Sequence, residues 1–127
     1  MILLDTNALI WYLNDSPRLG RAARNILIGN DRVCFSPISL VELKIKEIKG
    51  KNNPTADLGA AFLSLGFREL PFKSEDAMQL ANFPSLAYHD PFDRMLLCQA
   101  TTHNASLMTS DSILLSLGFD WIIDAQD

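Results

Sequence analysis

No run of about 18 apolar residues occurs anywhere in the 127-residue chain, so a bilayer-spanning helix is not expected. The amino terminus has neither the basic segment nor the apolar stretch of a secretory signal, which makes a cytoplasmic setting the expectation. Cysteine is scarce. Cys34 lies in Val33-Cys34-Phe35 and Cys98 in Leu97-Cys98-Gln99, surroundings that suit buried free thiols and form no zinc signature. Repeats, low-complexity tracts and an interdomain linker are absent, and with 48% hydrophobic residues a single domain over 1–127 can bury a core.

Positive charge is short in the carboxyl-terminal part. Residues 74–127 carry Arg94 alone against eight acids, a net of −7, while residues 1–73 carry ten Lys and Arg against seven acids, a net of +3. The formal total of −4 disfavours a nucleic-acid binder, but it hides this polarity. Lys44, Lys46, Lys49 and Lys51 form the densest basic cluster and follow Glu42 directly, so cations for phosphate would sit near an acid. The plain alternative is a solvated helix face with a Glu42–Lys46 pair at i,i+4.

What is present is an alternation of strands and helices. Met1 to Leu4 reads as a buried strand and Ala8 to Leu13 as a short helix. Ser16-Pro17 predicts the start of a second helix running to Gly29, with Ser as cap and Pro in its first turn. Arg32 to Phe35 is the second strand. A helix from Ile38 to Lys49 follows, its Ile38, Val41, Ile45 and Ile48 recurring at helical spacing, and Gly50 with Asn52-Asn53-Pro54 ends it. Thr55 to Leu65 is the next helix, closed by Gly66, and Phe67 to Phe72 a strand broken by Pro71. Ser74 is expected to cap a helix reaching Ala81, and Asp90 one that opens on Pro91 and runs to His103. Ser106 to Thr109, Asp111 to Leu117 and Phe119 to Ile123 complete a strand, helix, strand series. Such alternation predicts a mainly parallel sheet covered on both faces, an α/β fold.

Four acids fall at places such a fold would bring together. Asp5 ends the first strand, where an open α/β sheet has its ligand crevice. Glu42 lies in Ser39-Leu40-Val41-Glu42-Leu43, Asp93 in the first turn after Asp90-Pro91-Phe92, and Asp111 just after the strand Ser106 to Thr109. Each alone has an ordinary reading: Asp5, Asp90 and Asp111 as helix caps, Glu42 as a solvated position. Together at one sheet edge they would repel one another without a cation, so the pattern implies a metal. His89 and His103 are read as structural.

Leu3-Leu4-Asp5-Thr6-Asn7, Ser36-Pro37-Ile38-Ser39-Leu40-Val41-Glu42, His89-Asp90-Pro91-Phe92-Asp93-Arg94-Met95-Leu96 and Thr109-Ser110-Asp111, in this order, make the chain resemble a PIN-domain protein. The resemblance is strongest to VapC-like toxin ribonucleases of type II toxin–antitoxin systems, and it covers essentially the whole chain. It implies a three-layer α/β/α sandwich on a central sheet of about five strands. It also implies an acidic quartet of Asp5, Glu42, Asp93 and Asp111 as metal ligands and catalytic residues. Asp90 would support Asp93 or rival it, and Thr6, Asn7 and Ser110 would shape the pocket.

The implied chemistry is hydrolysis of RNA phosphodiester bonds assisted by Mg²⁺ or Mn²⁺, cations that prefer oxygen ligands. The implied partners are an RNA substrate, a cognate antitoxin that blocks the acidic pocket and a second copy of the chain, with no membrane. Arg94, Lys44 and Lys46 are the candidates for phosphate contacts. Two rivals remain. A receiver-type signalling domain needs a lysine near its last strand, and none follows Lys73. A catalytically silent binding module would use the same acids to hold a metal or a partner.

Overall fold

A computed structural model describes residues 1–50 and 57–127. Its strands are β1 (Ile2–Leu4), β2 (Val33–Phe35), β3 (Arg68–Glu69), β4 (Ser106–Thr109) and β5 (Ile122–Asp124). They form one parallel sheet in the order β3-β2-β1-β4-β5. The helices are α1 (Thr6–Leu13), α2 (Arg21–Ile28), α3 (Pro37–Ile48), α4 (Leu58–Ser64), α5 (Ser74–Met78), α6 (Pro91–Thr102) and α7 (Ser112–Leu115). Two 3₁₀ turns, Gln79–Asn82 and Pro84–Leu86, lead from α5 to α6. This is the α/β/α sandwich the sequence predicts.

The central strands β1, β2 and β4 are buried on both faces, and their side-chain alternation divides the core in two. Ile2 and Leu4 point into a cluster with Leu9, Leu27, Phe35, Phe62 and Met108, on the face covered by α1, α2 and α4. Leu3, between them, points into the other cluster with Leu96, Leu97, Leu107 and Leu114, under α6 and α7. Cys34 and Cys98 are buried free thiols. Among the described residues no helix is long and apolar enough to cross a membrane.

Three expectations need correction. The second helix begins at Arg21, not at Ser16-Pro17. The Ser16 hydroxyl is taken by the Arg18 N–H in a local turn, and Gly20 becomes the cap, its N–H bonded to the Ala125 carbonyl at 2.9 Å. The apolar series in α3 does not mark its inner face: Val41 and Ile48 are exposed, and the buried positions are Ser39 and Leu43. That face meets both α1 and α6 and carries polar residues toward the sheet edge, so its pattern is not a simple apolar stripe. Ser74 is the first helical residue of α5 rather than its cap. The Asp76 carboxylate satisfies the Lys73 N–H at 2.7 Å, and 3₁₀ geometry takes over from Gln79. Lys51, the stop at Asn52-Asn53-Pro54 and the expected helix start at Thr55 lie outside the described residues; α4 follows its cap Asp57.

Candidate active site

The chain order makes β1 the switch point of the sheet, with β2 on one side and β4 on the other. Crevices in open α/β sheets form at the carboxyl ends of such strands. Asp5 leaves β1 there, its N–H bonded to the Met108 carbonyl of β4 at 2.9 Å. Its side chain is only 4% exposed yet well satisfied. Oδ1 accepts from the Ala8 N–H at 2.8 Å, capping α1, and Oδ2 accepts from the Thr109 hydroxyl at 2.7 Å and the Ser110 N–H at 3.2 Å. Burial pushes the Asp5 carboxyl above its usual range, with the Glu42 charge adding to the rise, while these three donors oppose it.

Thr6 follows at the start of α1 and reaches across to α3. Its hydroxyl donates to Glu42 Oε1 at 2.7 Å and lies 3.1 Å from the Ser39 hydroxyl. A threonine has one proton to give, so with Glu42 accepting it the Ser39 hydroxyl is left to donate into Thr6. Glu42 Oε2 pairs with Lys46 Nζ at 3.1 Å, the i,i+4 pair the sequence offered. Lys44 pairs with Glu47 at 3.1 Å.

Asp90 and Asp93 occupy the first turn of α6 in different ways. Asp90 is exposed, and its Oδ1 accepts from the Phe92 and Asp93 N–H groups at 2.8 and 3.3 Å as the helix cap. Asp93 is more buried. Burial and then the charges of Asp90, Asp111, Asp5 and Glu42 raise its carboxyl to about 7. Asp111, after β4, caps α7 through the Leu114 N–H at 2.8 Å. The Asp111 N–H bonds to the Thr109 hydroxyl at 3.0 Å, so Thr109 links the backbone of one acid to the carboxylate of another.

These groups line one cavity of about 370 Å³, bounded by Asp5, Thr6, Asn7, Glu42, Asp90, Asp93, Ser110, Asp111 and Ser112. The Asn7 amide reaches the Ser110 hydroxyl at 3.4 Å across the rim. Arg94 does not point a free guanidinium at this cavity; its Nη1 donates to the Ala87 carbonyl at 3.3 Å.

Sequence reasoning missed three contributors. His89, read as structural, has Nε2 3.1 Å from Asp111 Oδ2 and 3.4 Å from Asp93 Oδ2. His89, Asp93 and Asp111 together offer ligand atoms within 4.8 Å of one another. Thr109 and Ser39 were passed over because a buried hydroxyl in a strand or helix gives no signal of its own partner. Only their places within Thr109-Ser110-Asp111 and Ser36-Pro37-Ile38-Ser39 hinted at them.

Crowded carboxylates that raise one another's proton affinity are a donor set suited to a hard divalent cation, which would relieve the repulsion felt at Asp93. The residues present therefore fit a divalent metal ion.

Among solved structures, the chain is similar to a toxin–antitoxin complex from Klebsiella pneumoniae, with a TM-score of 0.67, 17% identity and 98% of each chain covered. It is similar to VapBC2 from Rickettsia felis bound to a promoter DNA fragment, with a TM-score of 0.67, 18% identity and 97% and 96% covered. It also resembles FitAcB from Neisseria gonorrhoeae, with a TM-score of 0.61, 25% identity and 88% of each chain covered. No curated protein matches it. The sequence matches the PIN domain over residues 2–120, and with the acidic crevice at the switch point of a five-stranded parallel sheet the chain belongs to the PIN domain family.

Proposed function

We propose that this chain, acting as one domain over residues 1–127, is a metal-dependent endoribonuclease and the VapC-like toxin of a toxin–antitoxin pair in the cytoplasm. The observation that carries the reading is the meeting of Asp5, Glu42, Asp93 and Asp111 around one polar cavity, with Asp93 raised to about 7 by its burial and its neighbours. The toxin–antitoxin complexes among its structural neighbours support the biological setting. Inhibition by a cognate antitoxin and pairing with a second copy belong to the same proposal.

Mg²⁺ or Mn²⁺ held by Asp5, Glu42, Asp93 and Asp111 would polarise a phosphodiester and acidify water, as divalent ions do in hydrolases. The chain's own residues prepare the place. Asp5 is fixed by three donors from α1 and the end of β4, and so presents a carboxylate that needs no reorganisation. Thr6 aims Glu42, and the Leu114 N–H holds Asp111, with His89 Nε2 3.1 Å from the same carboxylate oxygen. Asn7 and Ser110 close the rim by contacting each other. Asp90, whose Oδ1 is occupied by backbone donors, supports Asp93 by starting the helix that carries it.

A catalytically silent module is the second reading, and His89 favours it: an imidazole between Asp93 and Asp111 supplies a counter-charge of its own when protonated. Cleavage of a labelled single-stranded RNA separates the two. The nuclease reading requires cutting in Mg²⁺ that disappears in EDTA and in Asp5→Asn. Stabilisation by Mg²⁺ without any cutting would support the silent module.

A further inference from the structure

The three cations expected to grip phosphate each have a partner within the chain. Lys46 is paired with Glu42, Lys44 with Glu47, and the Arg94 guanidinium donates to the Ala87 carbonyl. The acidic cavity is lined by five carboxylates, and residues 74–127 carry a net of −7. Beyond the one phosphate that a divalent ion on these acids would attract, a polyanion gains little from the chain's own charges on such a surface, since further phosphate affinity comes from free cations releasing counterions. Contacts with the bases are a further source of binding energy, and single-stranded nucleic acid supplies them by stacking on aromatic rings.

One exposed aromatic is placed for this. The Tyr88 side chain is fully exposed, at 103% of its reference area, so it packs on nothing in the chain. It is nonetheless set on an ordered support. Leu86, Ala87 and His89 N–H groups bond to the Phe83, Pro84 and Leu86 carbonyls at 3.0, 3.3 and 3.0 Å, and Arg94 braces Ala87 from α6. Leu86 is buried on one side of it. On the other side His89 Nε2 lies 3.1 Å from Asp111 and 3.4 Å from Asp93. Tyr88 thus stands one Cα step of about 3.8 Å from a residue that touches the acids. A base next to the nucleotide whose phosphate lies at the carboxylates is the partner such a ring would take. Because the flanking contacts fix the backbone, little ordering entropy opposes the stack.

We propose that Tyr88 is the stacking platform for a base flanking the scissile phosphate, and that it sets the preference for single-stranded RNA. This rests on the ribonuclease reading and adds a substrate-binding residue to it. The test is steady-state cleavage of a short single-stranded RNA carrying 2-aminopurine, in Mg²⁺, by the full chain and by Tyr88→Ala, Tyr88→Phe and Tyr88→Leu. Tyr88→Ala and Tyr88→Leu should raise KM about tenfold or more, the order one base stack contributes. kcat should hold within about twofold and the melting temperature should stay put, because an exposed side chain packs on nothing. Tyr88→Phe, which keeps the ring, should restore KM.

An unchanged KM in Tyr88→Ala overturns the proposal, and so does an equal loss in Tyr88→Phe, which would assign the effect to the hydroxyl. Unchanged RNA kinetics with weakened capture of the antitoxin would give Tyr88 to a protein partner and overturn it as well. Quenching of 2-aminopurine on binding is read separately from cleavage. Quenching that needs an aromatic at position 88 upholds the platform even where the RNA stays intact, whereas absent cleavage alone sinks only the ribonuclease reading.

Discussion

The Thr6 hydroxyl donates to Glu42 Oε1 at 2.7 Å, joining the first residue of α1 to a residue of α3 that lies 36 positions later. Lys46 holds the other carboxylate oxygen at 3.1 Å. The surface pair contributes little to stability on its own. The Thr6 contact is buried at its donor end and fixes which way Glu42 faces. Thr6→Val removes the proton and the acceptor while keeping the shape. RNA cleavage should then fall about tenfold or more, as losses of residues that orient metal-binding groups commonly do. Stability should fall by about 1 kcal/mol because the buried Ser39 hydroxyl loses its partner. Thr6→Ser should retain most of both. Activity that is equal in Thr6→Val and the parent would remove Glu42 orientation from the mechanism.

Asp93 supplies a prediction with a definite sign in pH. Its carboxyl is raised from 3.8 to about 7 in the folded chain, first by burial and then by four acidic neighbours. A raised carboxyl favours the fold while protonated. The contribution is complete below the unfolded value and is lost as pH climbs through about 7. Over roughly three units this is at most about 4 kcal/mol, at ~1.4 kcal/mol per unit. In EDTA the melting temperature should therefore drop between about pH 5 and pH 8, and Asp93→Asn should melt higher at the upper pH with a flatter profile. The same substitution should reduce stabilisation by Mg²⁺. A lower melting temperature in EDTA with Mg²⁺ stabilisation intact would count against Asp93 as a ligand and favour Asp90.

Asp5 should behave in the opposite way, although its carboxyl is also raised. Oδ2 accepts from the Thr109 hydroxyl and the Ser110 N–H, and an asparagine must give up the Ala8 contact or set its NH₂ against those donors. Asp5→Asn should therefore lose about 1–3 kcal/mol, the cost of leaving buried donors unpaired, despite relief of charge repulsion. Thermal melts of Asp5→Asn and Asp93→Asn, side by side in EDTA at neutral pH, read the contrast directly. Equal gains in both would mean that repulsion, not donor satisfaction, governs Asp5.

The periodicities of β1, α6 and β4 were plain in the sequence because each has strong local signals: an unbroken apolar run, an Asp-Pro start, a short run ending in Asp. Of the site acids, Glu42 inside α3 says little alone, whereas Asp5, Asp93 and Asp111 were visible for the same reason, since each follows such a signal. His89 was not. Its role depends on the turn of Pro84 to Leu86 swinging an imidazole back over α6 and α7, a tertiary relationship that no local pattern encodes. The inner face of α3 misled because its buried positions include Ser39, which serves the Thr6 contact rather than the core. The start of α2 was misjudged because Ser16-Pro17 carries the usual cap signal, and Gly20 wins only through its contact with the far end of the chain.

That contact gives the last prediction. A Cβ at Gly20 would overlap the backbone of Gln126 and Asp127, whose segment is held by bonds from Gly20 N–H to Ala125 and from Ala23 N–H to the Asp127 carbonyl. Gly20 sits at φ −68 and ψ 162, a conformation alanine adopts freely, so the obstacle is space rather than backbone strain. Replacing glycine by alanine reduces unfolded-chain entropy by less than about 1 kcal/mol, whereas forcing the 125–127 segment aside costs about 1–3 kcal/mol. Gly20→Ala should therefore be destabilising. Gly29→Ala makes the control: it caps the same helix at φ −81, its added carbon meets only the Asn25 carbonyl at 3.4 Å and the Ile26 carbonyl at 3.9 Å, and the change should be near neutral or stabilising. Denaturant melts of the two variants check the pair. A Gly20→Ala variant as stable as Gly29→Ala would mean that the chain end yields without cost and does not anchor the start of α2.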